Sequence, residues 1–499
     1  LYTVTANKLD NWIMEVLQPS TAFCKQVKET VKKICDFLKE DCFDNIHVHK
    51  TVKGGSAGKG TALQNKSDAD VVLFLSCFSS YQQQKQDRKY ILDLIKMRLQ
   101  ACKQRLTFTV NISEARYKGP DSTPRSLSLT LCSKETLESI EVDILPAYDA
   151  LGQVIQDAPP NAEVYVGLLN ASSSPGEFSP CFTELQKKFV KRCPPKLKSL
   201  LRLVKYWYKE VLKPRYSTAD LPPKYALELL TIYAWEEGTG SSHSFVMAEG
   251  FRTVLELLHR HREICIYWEK YYSLQHSQIG AHVKSLLRSP RPVILDPADP
   301  TGILGQSKNW DLMAREAVRH FSLPCVNGIQ PWDVKPARPV TIEVRQLVGT
   351  SLSRTVSPST TIRQLKEEIE QAWGIPWYRQ RLAQQEPGRS TLVLKDDVTL
   401  ATHGIFYNTT LMLLQIEPQV MEVFVKDDKN RTTTYTVQPT DTVRQLKEQI
   451  HARQGPPAAQ QRLTYGSREL EDGHVLAHYD IQPRSTIFML LRLRGGAGP

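Results

Sequence analysis

Two carboxylates at the start of an apolar stretch are the first residues here that could do chemistry. Asp68 and Asp70 directly precede the apolar run 71–75. In a strand, residues two apart project to the same face, about 7 Å apart along the chain. Carboxylate oxygens are ligands that Mg²⁺ prefers. The pair predicts a Mg²⁺ site, although an acidic turn before a strand has the same sequence.

A third carboxylate lies further along the chain, in a second predicted strand. Asp143 alternates with apolar neighbours in the segment 139–147. A charge in such a strand is unfavourable unless it is paired or bound to a metal. Glu141 has the same alternation phase and is the rival candidate. Asp68, Asp70 and Asp143 together predict a site for two metal ions.

A glycine-rich segment, 54–60, comes shortly before the first two carboxylates. Glycines let the backbone approach phosphates closely, and the Ser56 hydroxyl can donate to a phosphate oxygen. The spacing differs from that of a P-loop. A simple tight turn is the alternative for this segment taken alone.

These motifs resemble the nucleotidyltransferases that join a Gly-Ser loop and an Asp-x-Asp motif to a third Asp. Longer segments are similar to the 2′-5′-oligoadenylate synthetase family, across nearly all of residues 1–335: 54–70, 145–152, 196–208, 221–235, 265–272 and 290–302. The resemblance implies an α/β fold with a polymerase-β-like nucleotidyltransferase lobe over 1–160 and a helical lobe over 161–337.

The resemblance also implies an activity. Family members join ATP into 2′-5′-linked oligoadenylates and release pyrophosphate when double-stranded RNA activates them, in the interferon-induced antiviral response. Asp68, Asp70 and Asp143 would hold two Mg²⁺ ions, and Ser56 would position the donor phosphates. The enzyme would therefore need Mg²⁺, ATP and RNA.

Residues of the predicted helical lobe complete the expected ATP site. Arg202 and Lys205 are three apart and close together on a helix, where a solvated basic stripe is the alternative. The resemblance implies that both contact donor ATP and that Tyr225 stacks on adenine. Lys224 stands where the family usually has Gln, so the departure adds a positive charge beside the triphosphate.

The charge balance predicts a polyanionic partner. The net charge is +11, of which +8 lies in the first 337 residues. Lysines suit duplex RNA, which offers phosphates and 2′-hydroxyls rather than readable base edges. The resemblance implies that five lysines form the RNA-binding surface: Lys39, Lys53, Lys187, Lys191 and Lys196.

A repeat near the end of the chain predicts two copies of one small domain. Residues 361–369 recur as 442–450, an offset of 81 residues. In each copy, alternating apolar residues predict a strand, and apolar residues at helical spacing predict a short helix that ends at Gly374 or Gly455. The order of strand, strand, helix, strand, strand is typical of a β-grasp fold.

The second copy resembles ubiquitin in residues 460–463, 470–473, 479–482 and 491–496. We therefore predict ubiquitin-like domains over 338–417 and 418–499. Asp428, Thr464 and Leu490 stand at the positions of ubiquitin's apolar binding patch, so most of that patch is lost. Arg468 and Pro483 replace its two main linkage lysines. Three residues follow Gly496, so conjugation would require trimming, and a docking module for protein partners in RNA-sensing pathways is favoured.

Three further features of the sequence concern membrane association, cellular compartment and oligomeric state. No apolar run reaches the roughly 18 residues of a membrane span, so no membrane association is expected. The cysteines show neither zinc spacing nor a disulfide framework, which indicates reduced thiols in the cytoplasm, with the nucleus as the alternative. Residues 324–327 lack the Cys-Phe-Lys sequence of some oligomeric synthetases, which favours a monomer.

Three functions stay open from the sequence. The first is an active, RNA-triggered synthetase, which the three retained carboxylates favour. The second is a catalytically inactive RNA-binding adaptor that acts through its ubiquitin-like domains in cytosolic RNA-sensor signalling, and Lys224 is the residue near the site that favours it. The third is a ubiquitin-type modifier, suggested by the tail that ends at Gly496.

Overall fold

The predicted carboxylate strands belong to one five-stranded sheet. The computed structural model describes residues 1–101, 109–112, 124–132, 139–171, 174–386 and 388–492. The sheet lies in the first of two units, Leu1–Pro339. Its strand order is β1-β2-β5-β4-β3, with β1 Val48–Gly54, β2 Lys66–Leu75, β3 Thr109–Ile112, β4 Leu127–Cys132 and β5 Ser139–Ala147. β2 and β5 pair in parallel, and the other neighbours pair antiparallel.

One face of this sheet is buried under two long helices, α2 (Thr21–Glu40) and α4 (Tyr81–Ala101). Val71 and Leu73 of β2 and Ile144 of β5 lie in that core. Because successive residues of a strand project to opposite faces, the neighbouring aspartates lie on the other face of the sheet.

The helical lobe follows the sheet and belongs to the same unit. In the described residues of the unit, the other α-helices are α1 Leu9–Trp12, α3 Gly55–Lys59, α5 Ala162–Asn170, α6 Thr183–Lys191, α7 Pro195–Tyr206, α8 Lys213–Arg215, α9 Lys224–Thr239, α10 Met247–His259, α11 Ser277–Leu287 and α12 Trp310–Arg319. Two short parallel strands also pair here, β6 Cys265–Ile266 and β7 Val293–Ile294. A π-helical segment, Trp207–Leu212, directly continues α7.

The second unit, Val340–Pro499, holds the two repeated domains. The first consists of β8 Val340–Gln346, β9 Leu352–Val356, α13 Ile362–Trp373, β10 Gln380–Gln384, β11 Leu392–Val393 and β12 Thr409–Gln415. The second consists of β13 Met421–Lys426, β14 Thr432–Val437, α14 Val443–Gln454, β15 Gln461–Tyr465, β16 Arg468–Glu469 and β17 Thr486–Leu491. Each copy forms one mixed sheet, so the predicted β-grasp fold is confirmed, with five strands where the sequence pattern predicted four.

The repeated sequence forms each helix in the same way. Thr361 and Thr442 begin the helices with capping boxes. In each box, the Thr side chain accepts a hydrogen bond from the backbone N–H of the Gln three residues later, and the side chain of that Gln accepts one from the backbone N–H of the Thr. The predicted apolar stripes are buried in both cores. Gly374 and Gly455 end the helices with positive φ values of 72° and 102°, which glycine adopts readily.

The altered ubiquitin positions are placed at the surface of the second copy. Asp428, Leu490, Arg468 and Pro483 are exposed, and Thr464 is half-buried. The predicted Gly-Gly tail with Gly496 lies outside the described residues. Within the described ranges, none of the helices has the length and apolar character needed to cross a bilayer, and every cysteine is a free thiol.

Candidate functional site

The parallel pairing of β2 with β5 brings the predicted carboxylates onto one surface. Asp70 pairs with Asp143, and Asp68 pairs with Glu141. Asp68, Asp70 and Asp143 are half-buried, whereas Glu141 is exposed. The Ser128 hydroxyl of β4 donates to Asp143 Oδ1 at 2.6 Å. The fixed, half-buried position of Asp143 favours it over Glu141 as the third carboxylate.

The glycine-rich segment forms the turn into α3, directly beside Asp68. Gly55 has a φ of +68°, and a Cβ atom there would lie 2.8 Å from the Asp68 carbonyl oxygen. Ser56 is buried, and its Oγ both donates to Asp68 O and accepts from Asp68 N, at 3.1 Å each. Ser56, predicted to bind phosphate, therefore holds the Asp68 backbone in this structure.

Lysines from the helical lobe supply positive charge on the Asp68 side. Lys224 Nζ lies 3.4 Å from Asp68 Oδ2. Burial alone would raise the pKa of Asp68, but Lys224 and then Lys205 outweigh it and hold the pKa below its ordinary value. Asp68 is thus the carboxylate that stays ionised most readily.

The other two carboxylates are electrostatically unfavourable in their charged forms. Burial, followed by the neighbouring Asp143 and Asp68, raises the pKa of Asp70 to about 6. Burial also raises the pKa of Asp143, although the hydrogen bond from Ser128 opposes this shift. Perturbed carboxylates that crowd one another in this way are typical of functional sites that take a cation.

Arg202 and Lys205, predicted to contact ATP, both reach the backbone that follows α3. Arg202 donates to Gly60 O at 2.8 Å and to Ala62 O at 3.1 Å. Lys205 Nζ donates to Thr61 O at 2.8 Å. Burial lowers the pKa of Lys205 to about 8, despite nearby carboxylates. In this structure, the two side chains fasten the glycine-rich turn to α7.

Tyr225, the predicted adenine contact, is contacted at its hydroxyl and on one face of its ring. Its hydroxyl donates to Asp296 Oδ1 at 3.0 Å, and Lys59 Nζ lies 4.5 Å from the centre of its ring. A cation over an aromatic face is attracted by the ring's quadrupole. One face of Tyr225 therefore contacts Lys59.

Sequence reasoning missed two carboxylates that organise this site. Glu228 is buried and pairs with Lys59 at 3.0 Å and Lys205 at 3.8 Å. Asp296 is buried and binds Tyr225. The sequence did carry a signal for Glu228, because this charged residue interrupts an apolar helix one turn after Lys224. A carboxylate buried in such a helix requires a partner.

The lysines of the predicted RNA surface lie on several elements. Lys39 is on α2, Lys53 on β1, Lys187 and Lys191 on α6, and Lys196 on α7. Burial, then Lys191 and Lys53, lowers the pKa of Lys187, so these three charges are close together. Lys196 lies 3.9 Å from Asp10 in an ion pair.

The donor set has the chemistry that Mg²⁺ requires, since three carboxylates offer hard oxygen ligands on adjacent strands in register. Across the part of the chain that the structure describes, however, no group of three or more His, Cys, Asp and Glu side chains is arranged to hold a metal ion. The aspartates thus share a surface, but their oxygens are not gathered into a preformed site.

A sheet that presents acidic residues to a helical lobe, beside a Gly-Ser turn, defines a nucleotidyltransferase-type domain. The protein-family model described as 2′-5′-oligoadenylate synthetase 1, domain 2, C-terminus, matches residues 158–337. The ubiquitin family matches residues 340–417 and 423–494.

Proteins of similar sequence carry names of the synthetase family. The chain is 41% identical to 2′-5′-oligoadenylate synthase-like protein 2 of Mus musculus, over 98% of each chain. It is 40% identical to 2′-5′-oligoadenylate synthase-like protein 1 of Rattus norvegicus, over 100% of this chain and 98% of the relative. It is 50% identical to 2′-5′-oligoadenylate synthase 3 of Mus musculus, over 68% of this chain and 30% of the relative. The chain belongs to the 2′-5′-oligoadenylate synthetase family and carries two ubiquitin-like domains.

Proposed function

We propose that the chain is an active synthetase, which joins ATP into 2′-5′-linked oligoadenylates when double-stranded RNA binds. The observation that carries the proposal is the register that pairs Asp70 with Asp143, with Asp68 on the same face. In the reaction, the acceptor 2′-oxygen bonds to the α-phosphorus of the donor ATP. The bond between the α-phosphorus and the bridging oxygen to the β-phosphate breaks, the proton of the hydroxyl passes to water, and pyrophosphate leaves.

The side chains divide this work. Asp68, Asp70 and Asp143 would hold Mg²⁺, whose charge, when bound, activates the acceptor hydroxyl and neutralises the leaving pyrophosphate. Lys224 and the lysines around it place positive charge where the triphosphate would lie. Tyr225 offers a ring for adenine, and its bond to Asp296 fixes the plane of that ring.

The placement of the lysine cluster supports control by RNA. Lys53 lies at the end of β1, immediately before the glycine-rich turn, and a Cβ atom on Gly58 of α3 would lie 3.6 Å from Lys187 Cδ. Ser56, on the same short helix, holds Asp68. RNA phosphates on Lys53 and Lys187 would therefore act on the element that positions the first carboxylate, a gating step.

The test is pyrophosphate release from ATP and Mg²⁺, with and without long duplex RNA, followed by digestion that distinguishes 2′-5′ from 3′-5′ linkages. We expect RNA-dependent 2′-5′ product. The double variant Lys187→Ala/Lys191→Ala should need more RNA for half-maximal activation, with a weaker salt dependence. Absence of product from protein that demonstrably binds RNA would refute the proposed activity.

A second candidate is an inactive RNA-binding adaptor that docks protein partners through its ubiquitin-like domains. The ion pair between Lys224 and Asp68 favours it, because that pair engages an expected metal ligand. This adaptor would bind duplex RNA and make no product. Reverting Lys224→Gln would then be the first change to test for recovered synthesis.

A further inference from the structure

Lys224 is placed to act on the carboxylates from the helical lobe. It is the first residue of α9 and directly follows Pro223, whose φ of −67° is fixed by its ring. Its Nζ reaches across to Asp68 Oδ2, at 3.4 Å, and both side chains are partly exposed. The pair joins residues that are 156 positions apart in the chain.

The oxygen that Lys224 contacts has a second donor. The Ser56 backbone N–H donates to the same Asp68 Oδ2 at 3.5 Å. A carboxylate oxygen offers about two lone-pair sites. Since donors from α3 and α9 share this oxygen, a metal ion that binds Asp68 Oδ2 must displace one of them, and the flexible lysine can move more easily than the backbone.

We propose that Lys224 is a resident cation of the carboxylate cluster, which competes with divalent metal for Asp68 and thereby couples metal binding to nucleotide binding. The inference rests on the proposed function only in assigning Asp68, Asp70 and Asp143 as metal ligands. A polyphosphate attracts the Lys224 ammonium away from Asp68, so nucleotide frees the oxygen for metal. By linkage, metal then favours nucleotide to the same degree.

The experiment titrates Mn²⁺ alone into the full-length chain and follows free Mn²⁺ by electron paramagnetic resonance. We expect Lys224→Gln to bind Mn²⁺ about tenfold more tightly than the wild type, since a like charge beside a cation site is removed. Lys224→Arg keeps the charge and should match the wild type. The matched control is Lys308→Gln, which removes another ion-paired lysine, 2.8 Å from Asp220, and should also match the wild type.

A second readout repeats the titration with a non-hydrolysable ATP analogue, and the Mn²⁺ that the analogue binds without protein is measured and subtracted. The difference between the wild type and Lys224→Gln should shrink, because nucleotide already attracts the lysine away. Melting temperatures check folding, and Mn²⁺ should raise that of Lys224→Gln more than that of the wild type. If Lys224→Gln does not fold, Lys224→Met, which also removes the charge, replaces it in both titrations.

Equal or weaker Mn²⁺ binding by the uncharged variants, or tighter binding that survives an added Asp68→Asn change, would overturn the inference. A nucleotide-independent difference between the variants would overturn the coupling to nucleotide. The titration with Mn²⁺ alone needs no catalysis. A chain that makes no 2′-5′ product but shows the expected Mn²⁺ results would therefore refute the proposed activity and leave this inference standing.

Discussion

Buried charges are arranged differently in the two units of the molecule. In the ubiquitin-like domains, Lys366 and Lys447 are buried at corresponding positions, and each forms a closed pair, that is, an ion pair with a partly exposed carboxylate, Asp396 or Asp472. In the nucleotidyltransferase unit, Asp68, Asp70 and Asp143 share one surface, and burial and crowding raise the pKa of the latter two. A closed pair offsets the cost of burying its lysine, whereas an open cluster of like charges is unfavourable unless a cation offsets it.

The largest expected effect comes from removing one charge from each arrangement. If the proposed function holds, Asp143→Asn should lower RNA-dependent synthesis roughly a thousandfold or more, because it removes a proposed ligand of the catalytic metal. Asp472→Asn removes the carboxylate of a closed pair and should change the rate less than about twofold, within the range of ordinary surface changes. Initial rates of pyrophosphate release at saturating ATP measure both.

Both variants should keep the wild-type circular dichroism spectrum. Equal loss of synthesis in the two variants would contradict the claim that the aspartate cluster serves synthesis and the closed pair does not. Retained synthesis in Asp143→Asn would show that the third ligand lies elsewhere, with Glu141 as the next residue to change.

The next effect concerns stability within the nucleotidyltransferase unit. Glu228→Gln should lower the free energy of unfolding by about 3 kcal/mol, since it leaves the buried Lys205 ammonium without its carboxylate. Denaturant unfolding followed by tryptophan fluorescence measures the change. The matched control is Glu448→Gln on α14, whose pair with Arg444 is exposed and should contribute no more than about 0.5 kcal/mol.

A similar small change in the free energy of unfolding of both glutamate variants would mean that Glu228 contributes little to stabilising the buried lysines. A large loss only in Glu228→Gln would support its role as the shared partner of Lys59 and Lys205. The same variant should then show faster hydrogen exchange in the glycine-rich turn, which Lys205 holds through Thr61.

The smallest effect is a pH dependence of the closed pair. The hydrogen bond from Lys447 lowers the pKa of Asp472. Because the folded-state pKa lies below the unfolded value, the pair stabilises the domain above pH about 4 and loses this contribution as pH falls through the lowered pKa. Hydrogen exchange of α14, corrected for its intrinsic pH dependence, should show decreasing protection at acidic pH in the wild type.

Asp472→Asn should have less protection near pH 6 and a flatter change towards low pH. Its effect should be the smallest of the three because Asp472 is 44% exposed and solvent screens the pair. An identical pH profile in the wild type and the variant would show that the pair contributes nothing to the stability of α14.

Much of the fold and part of the site could be predicted from local patterns. The capped helices that begin at Thr361 and Thr442 follow from adjacent residues, and the alternation around Asp143 places it on a strand face. The pattern predicted four strands in each domain where the structure has five, and the central position of β12 and β17 depends on parallel pairing with the first strand of each domain, which no local pattern specifies. The functional roles of the site residues stay predictions.

The contacts of individual site residues were less predictable. Ser56, Arg202 and Lys205 match positions expected to contact ATP, yet their polar atoms bond protein groups in this structure. Residue type indicates hydrogen-bonding capacity and charge, but it does not identify the partner. That choice depends on which elements the packed lobes bring within about 3 Å.

Composition and the periods of two and 3.6 residues are enough to predict the repeated domains, the shared strand face of Asp68 and Asp70, and the positive excess. Packing between distant segments, by contrast, places Asp70 opposite Asp143, Glu228 beside Lys59 and Lys205, and Lys224 beside Asp68. These contacts join residues 23 to 169 positions apart, or depend on strand register. Such distant residues come into contact when the cores of the lobes pack. Packing buries their charges, and each buried charge then pairs with a nearby group that offsets its desolvation.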